Sequence, residues 1–359
     1  MVDLDQLALF YYFCHNIIMK KPFNLKKGVT NFVIPITITI AVLYIFFRDI
    51  SITDIKATFL KIPLTYLAAF ILLSLAGTVL RALKYHILLS KKLSYQDIFL
   101  ITLVRNFSVD LLPARTASLV FYSWLTKKKG IALEEGASSF VVSVFYDGLA
   151  LCFMLGGLIF FLETSVSRWA IYTGMGLIFS ISIIMVFFSD GIICFILKQN
   201  IVKLNRFPKL ERILKNINEY LIHHSKNSER LYIFSLSLLI RLIKYIFLYI
   251  LFDGVVGIGG GLHTFATFSF MLAVTELSAL IPIQGLGGFG TWELAFLLTF
   301  KLFFPGLNLS DDIIKAAGIV IHVTTQVWEY FIGLLAFLYL SMSIKKRHAN
   351  IDNRDKKNE

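Results

Sequence analysis

Apolar runs of membrane length alternate with short polar connections along most of the chain. Runs at 32–47, 63–80, 137–162, 169–188, 231–252, 264–283 and 313–340 carry few charges, and their lengths suit a hydrocarbon layer about 30 Å thick. Two apolar stretches are interrupted. Residues 98–125 contain "RNFSVDLLPARTAS" (105–118), too polar to face lipid and broken at Pro113; residues 264–304 form two arms around "PIQGLGGFGTWE" (282–293). The pattern predicts an all-α polytopic membrane protein with about six to eight transmembrane helices and two broken or re-entrant hairpins. Arms of the second hairpin's length also fit ordinary paired spans.

Charge orients these segments, because Lys and Arg in short loops favour the cytoplasmic side. Lys20, Lys21, Lys26 and Lys27 precede the first run, Lys91 and Lys92 follow the second, and Lys127, Lys128 and Lys129 follow the first broken stretch. That stretch therefore enters and leaves on the cytoplasmic face. Residues 198–230 add Lys198, Lys203, Arg206, Lys209, Arg212, Lys215, Lys226 and Arg230 to the same side. Leu210, Ile213, Leu214, Ile217 and Leu221 share one helical face there, which predicts a basic amphipathic helix touching anionic headgroups. In contrast, "DGVVGIGGGL" (253–262) has no Lys or Arg and "FPGLNLSDD" (304–312) is acidic, so the second broken stretch enters and leaves on the outer face. The chain ends inside, after Lys345, Lys346 and Arg347.

Each half is then span, broken hairpin, span, in opposite orientations. The echoes "RALKY" (81–85) with "RLIKY" (241–245) and "LLP" (111–113) with "LIP" (280–282) keep their order, as do Asp147 and Glu329 as acids inside the following spans. They support an inverted repeat, an arrangement in which discontinuous helices build a site near the bilayer midplane. The expected organisation is an N-terminal interfacial or cytoplasmic segment (1–30), a membrane domain (31–343) with halves at about 63–190 and 231–343, and a polar cytoplasmic tail (344–359). Met1 and Met19 both fit as the start.

Composition agrees with the pattern: 57% hydrophobic, 15% aromatic and 16% charged residues over 359 positions depart from a soluble domain toward a membrane protein. Cys14, Cys152 and Cys194 stand apart without C-x-x-C spacing, which suggests neither a disulfide framework nor a metal site. "GLGGFG" (285–290) is literally G-x-G-x-x-G, but a dinucleotide site needs a strand before the glycines and a βαβ unit around them. Here they lie between two membrane-length apolar segments. Gly285, Gly287, Gly288 and Gly290 instead permit a tight turn, and the N–H groups at the start of the arm led by Thr291 are placed to face an anion.

An ionisable group within an apolar span costs at least about 2.5–3.5 kcal/mol, so such groups face a cavity or one another. Arg81, Lys84, Arg105, Asp110, Arg115, Asp147, Arg241, Lys244, Glu276, Glu293 and Glu329 are in this position. Arg81 and Lys84 also fit as side chains that snorkel to the interface. Arg115, beside Pro113, suits bidentate grip of a phosphate, with Asp147 and Glu293 as its counter-ions and Asn106 as a neutral amide. Arg241 needs Glu276 or Glu329 as partner. His322 either titrates in a proton-coupled cycle or hydrogen-bonds a neighbouring helix. Trp124, Trp169, Trp292 and Trp328 read as interfacial or packing aromatics.

"LRALKYHILL" (80–89), "NFSVDLLPAR" (106–115), "SVFYDGLAL" (143–151) and "GLGGFGTWE" (285–293) resemble the successive motifs of the flippase-like transmembrane region of lysylphosphatidylglycerol synthases and of stand-alone YbhN-like proteins. The resemblance covers roughly residues 30 to 340. It implies a multi-pass protein of a bacterial or archaeal inner membrane that moves lipids, or lipid-linked molecules, between leaflets. Departures exist: where the family continues with Gly-Glu and a further Arg, this chain has Ala117, Ser118, Phe121 and Tyr122, and an Arg common early in the last span has no clear counterpart, His322 being the nearest ionisable residue. The soluble aminoacyl-transfer domain of the fused synthases has no counterpart in the tail.

Two function classes follow. The first is a transporter whose polar site, comprising Arg81, Asn106, Arg115, Asp147, Gly285, Gly287, Gly288, Gly290 and Glu293, moves an anionic or phosphate-bearing headgroup while the tails stay in lipid. Arg241, Glu276, His322 and Glu329 would then serve as coupling or structural ion pairs. The second is a membrane-embedded enzyme or accessory subunit of lipid-linked glycan or aminoacyl-lipid synthesis. The chain has no H-E-x-x-H, no Asp-rich metal motif and no nucleophile with an evident base, and no pattern that calls for a cofactor. Expected partners are membrane lipids or a polyprenyl-linked lipid, the anionic inner-leaflet surface, a second copy or a partner membrane enzyme, and no nucleic acid.

Overall fold

A computed structural model describes residues 52–109, 116–162, 168–199, 226–277, 288–307 and 309–358, with positions 37, 44, 215, 217–220 and 222. Every described element is helical. In chain order they are α1 (Ile52–Leu60), α2 (Leu64–Leu88), α3 (Tyr95–Phe107), α4 (Thr116–Lys128), α5 (Leu133–Leu158), α6 (Arg168–Gln199), α7 (Asn227–Val256), α8 (Leu262–Leu277), α9 (Thr291–Phe303) and α10 (Asp311–Asn358). Four of them are long and apolar enough to cross a membrane: α2, α5 with the turn that extends it to Phe161, α7, and α10 as far as Ser343. The protein is thus a polytopic all-α membrane protein. The expected run at 32–47 lies outside the described residues apart from positions 37 and 44, which are helical.

Local chemistry sets several of these boundaries. Ser94 caps α3 by accepting the Asp97 backbone N–H at 3.2 Å. α7 stops at Gly257, whose φ of +69° suits a residue without Cβ, and Asp253 accepts the Gly259 N–H at 2.8 Å to hold the turn. The other Asp253 oxygen accepts from Tyr66 Oη at 3.3 Å, which ties the end of α7 to the start of α2. These two helices therefore run antiparallel, and they share the most extensive contact among the described helices.

The described parts of the broken stretches are pairs of short helices. α3 and α4 have 13 residues each, which at 1.5 Å per residue is about 20 Å, well short of a bilayer core of about 30 Å. Their far ends lie together, since Lys129 Nζ is 2.7 Å from Asp97 Oδ1 and Lys92 Nζ is 2.7 Å from Glu135 Oε1. α8 and α9, of 16 and 13 described residues, pack on each other at the other end of the bundle. There Tyr249 donates to the Gly259 carbonyl at 3.0 Å, and Phe252 and Phe304 lie 5.8 Å apart. One hairpin thus starts from the end of α2, the other from the end of α7, and antiparallel packing of those helices makes the hairpins enter from opposite faces.

Two hydrophobic cores result. One gathers Leu88, Ile98, Tyr122, Phe140, Ile233 and Leu340 around the first hairpin; the other gathers Phe70, Phe252, Phe268, Phe296, Phe300 and Ile314 around the second. α10 connects them and presses on α3 at Gly333, where a Cβ would stand 2.2 Å from Phe107 Cβ and 2.9 Å from the Leu103 carbonyl oxygen. Only glycine permits that approach.

Three further findings amend the sequence reading. α1, not anticipated, packs on α10. The stretch after residue 343 continues α10 as helix to Asn358. In the basic segment, positions 217–220 are helical, Ile217 and Tyr220 pack on the first core, and Tyr220 donates to the Leu88 carbonyl. Positions 215 and 222 are helical as well, and the rest of that amphipathic stretch lies outside the described residues.

Candidate functional site

Between the two cores lies a polar cavity of about 160 Å³. Each wall comes from a different element. α2 supplies Ser74, Gly77, Thr78 and Arg81; α3 supplies Arg105 and Asn106; α7 supplies Arg241 and Lys244; α8 supplies Glu276. Gly288, Thr291 and Trp292 of the second hairpin and His322, Gln326 and Glu329 of α10 close the far side, and Asp147 of α5 lies behind. The helical repeat explains the α2 contribution, because 74, 77, 78 and 81 lie along one stripe.

Most charges along the wall are internally compensated. Lys84 is fully buried, with its ammonium 2.6 Å from Asp147 Oδ1, 3.0 Å from Ser237 Oγ and 3.3 Å from the Ser143 carbonyl oxygen. It does not snorkel, and Asp147 serves Lys84 in the described structure. Glu276 joins Arg241 at 3.3 Å and Lys244 at 2.5 Å, and Arg241 Nε also donates to the Asp147 carbonyl at 3.2 Å. Of the two partners open to Arg241, the fold brings up Glu276.

The second hairpin satisfies its own polar groups as well. Glu293, 2% exposed, places Oε1 2.6 Å from His322 Nδ1, and its Oε2 accepts the Gly290 N–H at 2.6 Å. Gly290 has φ of +89°, a conformation that side-chain-bearing residues rarely adopt. The Gly290 N–H, just ahead of the donors led by Thr291 that the sequence offers to an anion, is thus taken by the chain's own carboxylate. His322 lies between the rings of Phe289 and Trp292, at centroid distances of 4.6 and 4.8 Å, with Nε2 3.2 Å from Gln326 Nε2. Trp292 is thereby a packing aromatic of the site.

The first hairpin differs. Arg81 Nη1 and Arg105 Nη1 both donate to one acceptor, Asn106 Oδ1, at 2.9 and 3.1 Å, while Asn106 Nδ2 donates to Thr78 Oγ1 at 3.2 Å. Both guanidinium Nε atoms are buried and, among the described residues, have no hydrogen-bond partner. Among the described residues, neither arginine has a carboxylate within ion-pair distance. The Phe140 ring lies 5.5 Å from Arg105 Cζ and covers one guanidinium face. Two cations thus converge on a single neutral oxygen beside a cavity, an arrangement suited to an anion with several oxygens.

Of the sequence candidates, the cavity unites Arg81, Asn106, Asp147, Arg241, Glu276, Gly288, His322 and Glu329, with Gly290 and Glu293 just beneath. Asp110, Pro113, Arg115, Gly285 and Gly287 lie outside the described residues. The candidate set missed Arg105 as a companion of Arg81 and Lys84 as the partner of Asp147. Both signals were present: an intramembrane Arg directly before Asn106, and a Lys one turn after Arg81.

A family model described as the lysylphosphatidylglycerol synthase TM region matches residues 32–336. A search of curated proteins finds no match.

Proposed function

Because the chain belongs to the lysylphosphatidylglycerol synthase TM region family, we propose that it moves a lipid or lipid-linked molecule with a phosphate-bearing headgroup between leaflets. The observation that carries this reading is the pair Arg81 and Arg105, which have no carboxylate within ion-pair distance among the described residues and share the Asn106 oxygen beside a cavity. Two guanidinium groups in a membrane interior carry a large desolvation cost. A phosphate offers the acceptors that both Nε atoms lack, and guanidinium geometry suits its paired oxygens.

The remaining charges act as a frame. Lys84 with Asp147 and Glu276 with Arg241 and Lys244 hold α2, α5, α7 and α8 around the cavity. Lys91, Lys92 and Lys127–Lys129 lie at the ends of α2 and α4, the end of the bundle at which the first hairpin enters. By the positive-inside tendency this face is cytoplasmic, in the inner membrane of a bacterium or archaeon, and it meets anionic headgroups there. Arg115 belongs to the same site in this reading, as a third phosphate ligand.

The test is transport by purified protein in liposomes containing fluorescent lipids that differ only in headgroup. Phosphate-bearing lipids should cross faster than phosphate-free ones, with unchanged mass, and Arg81→Gln with Arg105→Gln should abolish the difference. Undiminished transport by the well-folded double variant would remove this pair from the mechanism. A new covalent product, formed without an added enzyme, would instead favour an enzyme of lipid modification.

A further inference from the structure

A second concavity, of about 400 Å³, opens on the flank of the bundle between α1, α2 and α10. Its lining includes Phe59, Leu67, Ile71, Val327 and Phe331, apolar residues on every wall. Val327 and Phe331 are 62% and 59% exposed, so the groove faces out of the protein alongside helices long enough to cross a bilayer. Its surroundings are therefore hydrocarbon.

The groove and the polar cavity share a wall. α10 lines the groove with Val327 and Trp328 and the cavity with Gln326 and Glu329. Trp328 Nε1 donates to Ser74 Oγ at 3.2 Å, and Ser74 itself lines the cavity. On α2 the two sites form one stripe at helical spacing: Leu67, Phe70 and Ile71 in the groove, then Ser74, Thr78 and Arg81 in the cavity. From Leu67 to Arg81 the stripe runs about 21 Å at 1.5 Å per residue. It is apolar along its first part and polar, then cationic, along its second. That sequence of surfaces complements an amphiphile lying lengthwise, and neither concavity alone does so.

We propose that this groove seats one hydrocarbon chain of the lipid whose phosphate is held at Arg81 and Arg105, and that the Trp328–Ser74 contact is the latch between tail and headgroup compartments. The proposal rests on the headgroup reading above and extends it. It also assigns a polarity. The cationic end of the stripe points toward the face where the first hairpin enters, so the seated lipid has the orientation of one drawn from that leaflet.

Two photoreactive probes test this in liposomes: phosphatidic acid with a diazirine in one acyl chain, and diacylglycerol with the same chain. Peptide mapping should place saturable phosphatidic acid labelling on residues 59–71 and 323–331. Labelling should exceed that by diacylglycerol several-fold, and Arg81→Gln with Arg105→Gln should erase that excess. Val327→Trp, which adds bulk at a lipid-exposed position, should reduce groove labelling by both probes at least fivefold. Trp328→Phe, which keeps an aromatic ring but removes the N–H donor, should speed exchange of bound lipid. Labelling spread evenly over the lipid-facing surface of the unmodified protein would overturn the groove. Labelling concentrated in the groove but indifferent to phosphate and to both arginines would uphold the groove and overturn the headgroup reading.

Discussion

The two hairpins share a plan and differ in how they treat their polar groups. Each includes a pair of short packed helices, one pair following the end of α2 and the other the end of α7. At the second, Glu293 joins His322 and the Gly290 N–H, so the described polar groups at the start of α9 satisfy one another. At the first, Arg105 and Arg81 crowd one amide oxygen and leave both Nε atoms without acceptors. A buried polar group that finds a partner inside the protein holds structure together. One denied a partner costs stability, and that cost is recovered when a ligand supplies the missing atoms.

The contrast predicts opposite consequences for charge removal. The largest effect is expected in the frame that supports both hairpins, at Asp147→Ala, which strands the fully buried Lys84 ammonium. Breaking such a pair from one side costs about 3–5 kcal/mol, seen as a lower denaturation midpoint in detergent and lower folded yield. Lys84→Met with Asp147→Leu should recover most of the loss, because no lone charge remains buried.

Glu293→Ala comes next. It leaves His322 Nδ1 and the Gly290 N–H without partners in a site where neither reaches water freely, at a cost of about 1–3 kcal/mol. The same denaturation series measures it, and a midpoint equal to that of the parent would show the second hairpin to be less self-satisfied than its geometry indicates. The smallest stability effect belongs to Arg105→Gln. The amide relieves the desolvation cost of an uncompensated charge, so the midpoint should stay level or rise, while thermal stabilisation by added phosphatidic acid should disappear. A marked loss of stability with retained lipid response would reverse the assignment of the two hairpins.

Much of this was legible in the amino-acid sequence. The interrupted runs at 98–125 and 264–304 announced two hairpins, because polar residues and Pro113 cannot continue a lipid-facing helix. The charges at Lys91, Lys92 and Lys127–Lys129 placed both ends of the first hairpin on one face, and the Lys129–Asp97 and Lys92–Glu135 pairs show those ends together. The family followed from four ordered motifs. The cost of intramembrane charge singled out Arg81, Asp147, Arg241, Glu276 and Glu293 as groups that must face a cavity or a partner.

Partner choice was not legible. Lys84 lies where a snorkelling lysine and a buried one look the same in sequence, and only the approach of α5 and α7 to α2 settles the matter, through Asp147 and Ser237. That Glu293 folds back onto the Gly290 N–H, just ahead of the donors led by Thr291, depends on a backbone turn at Gly290 that spacing alone does not fix. The chain by itself determined the solvent it folds in, the number of broken segments and the positions where charge enters the bilayer, since these follow from local hydropathy and from the cost of charge in hydrocarbon. Which charges neutralise one another, and which two arginines are left to share one oxygen, was decided by tertiary packing, because ion pairing depends on distances between helices far apart in sequence.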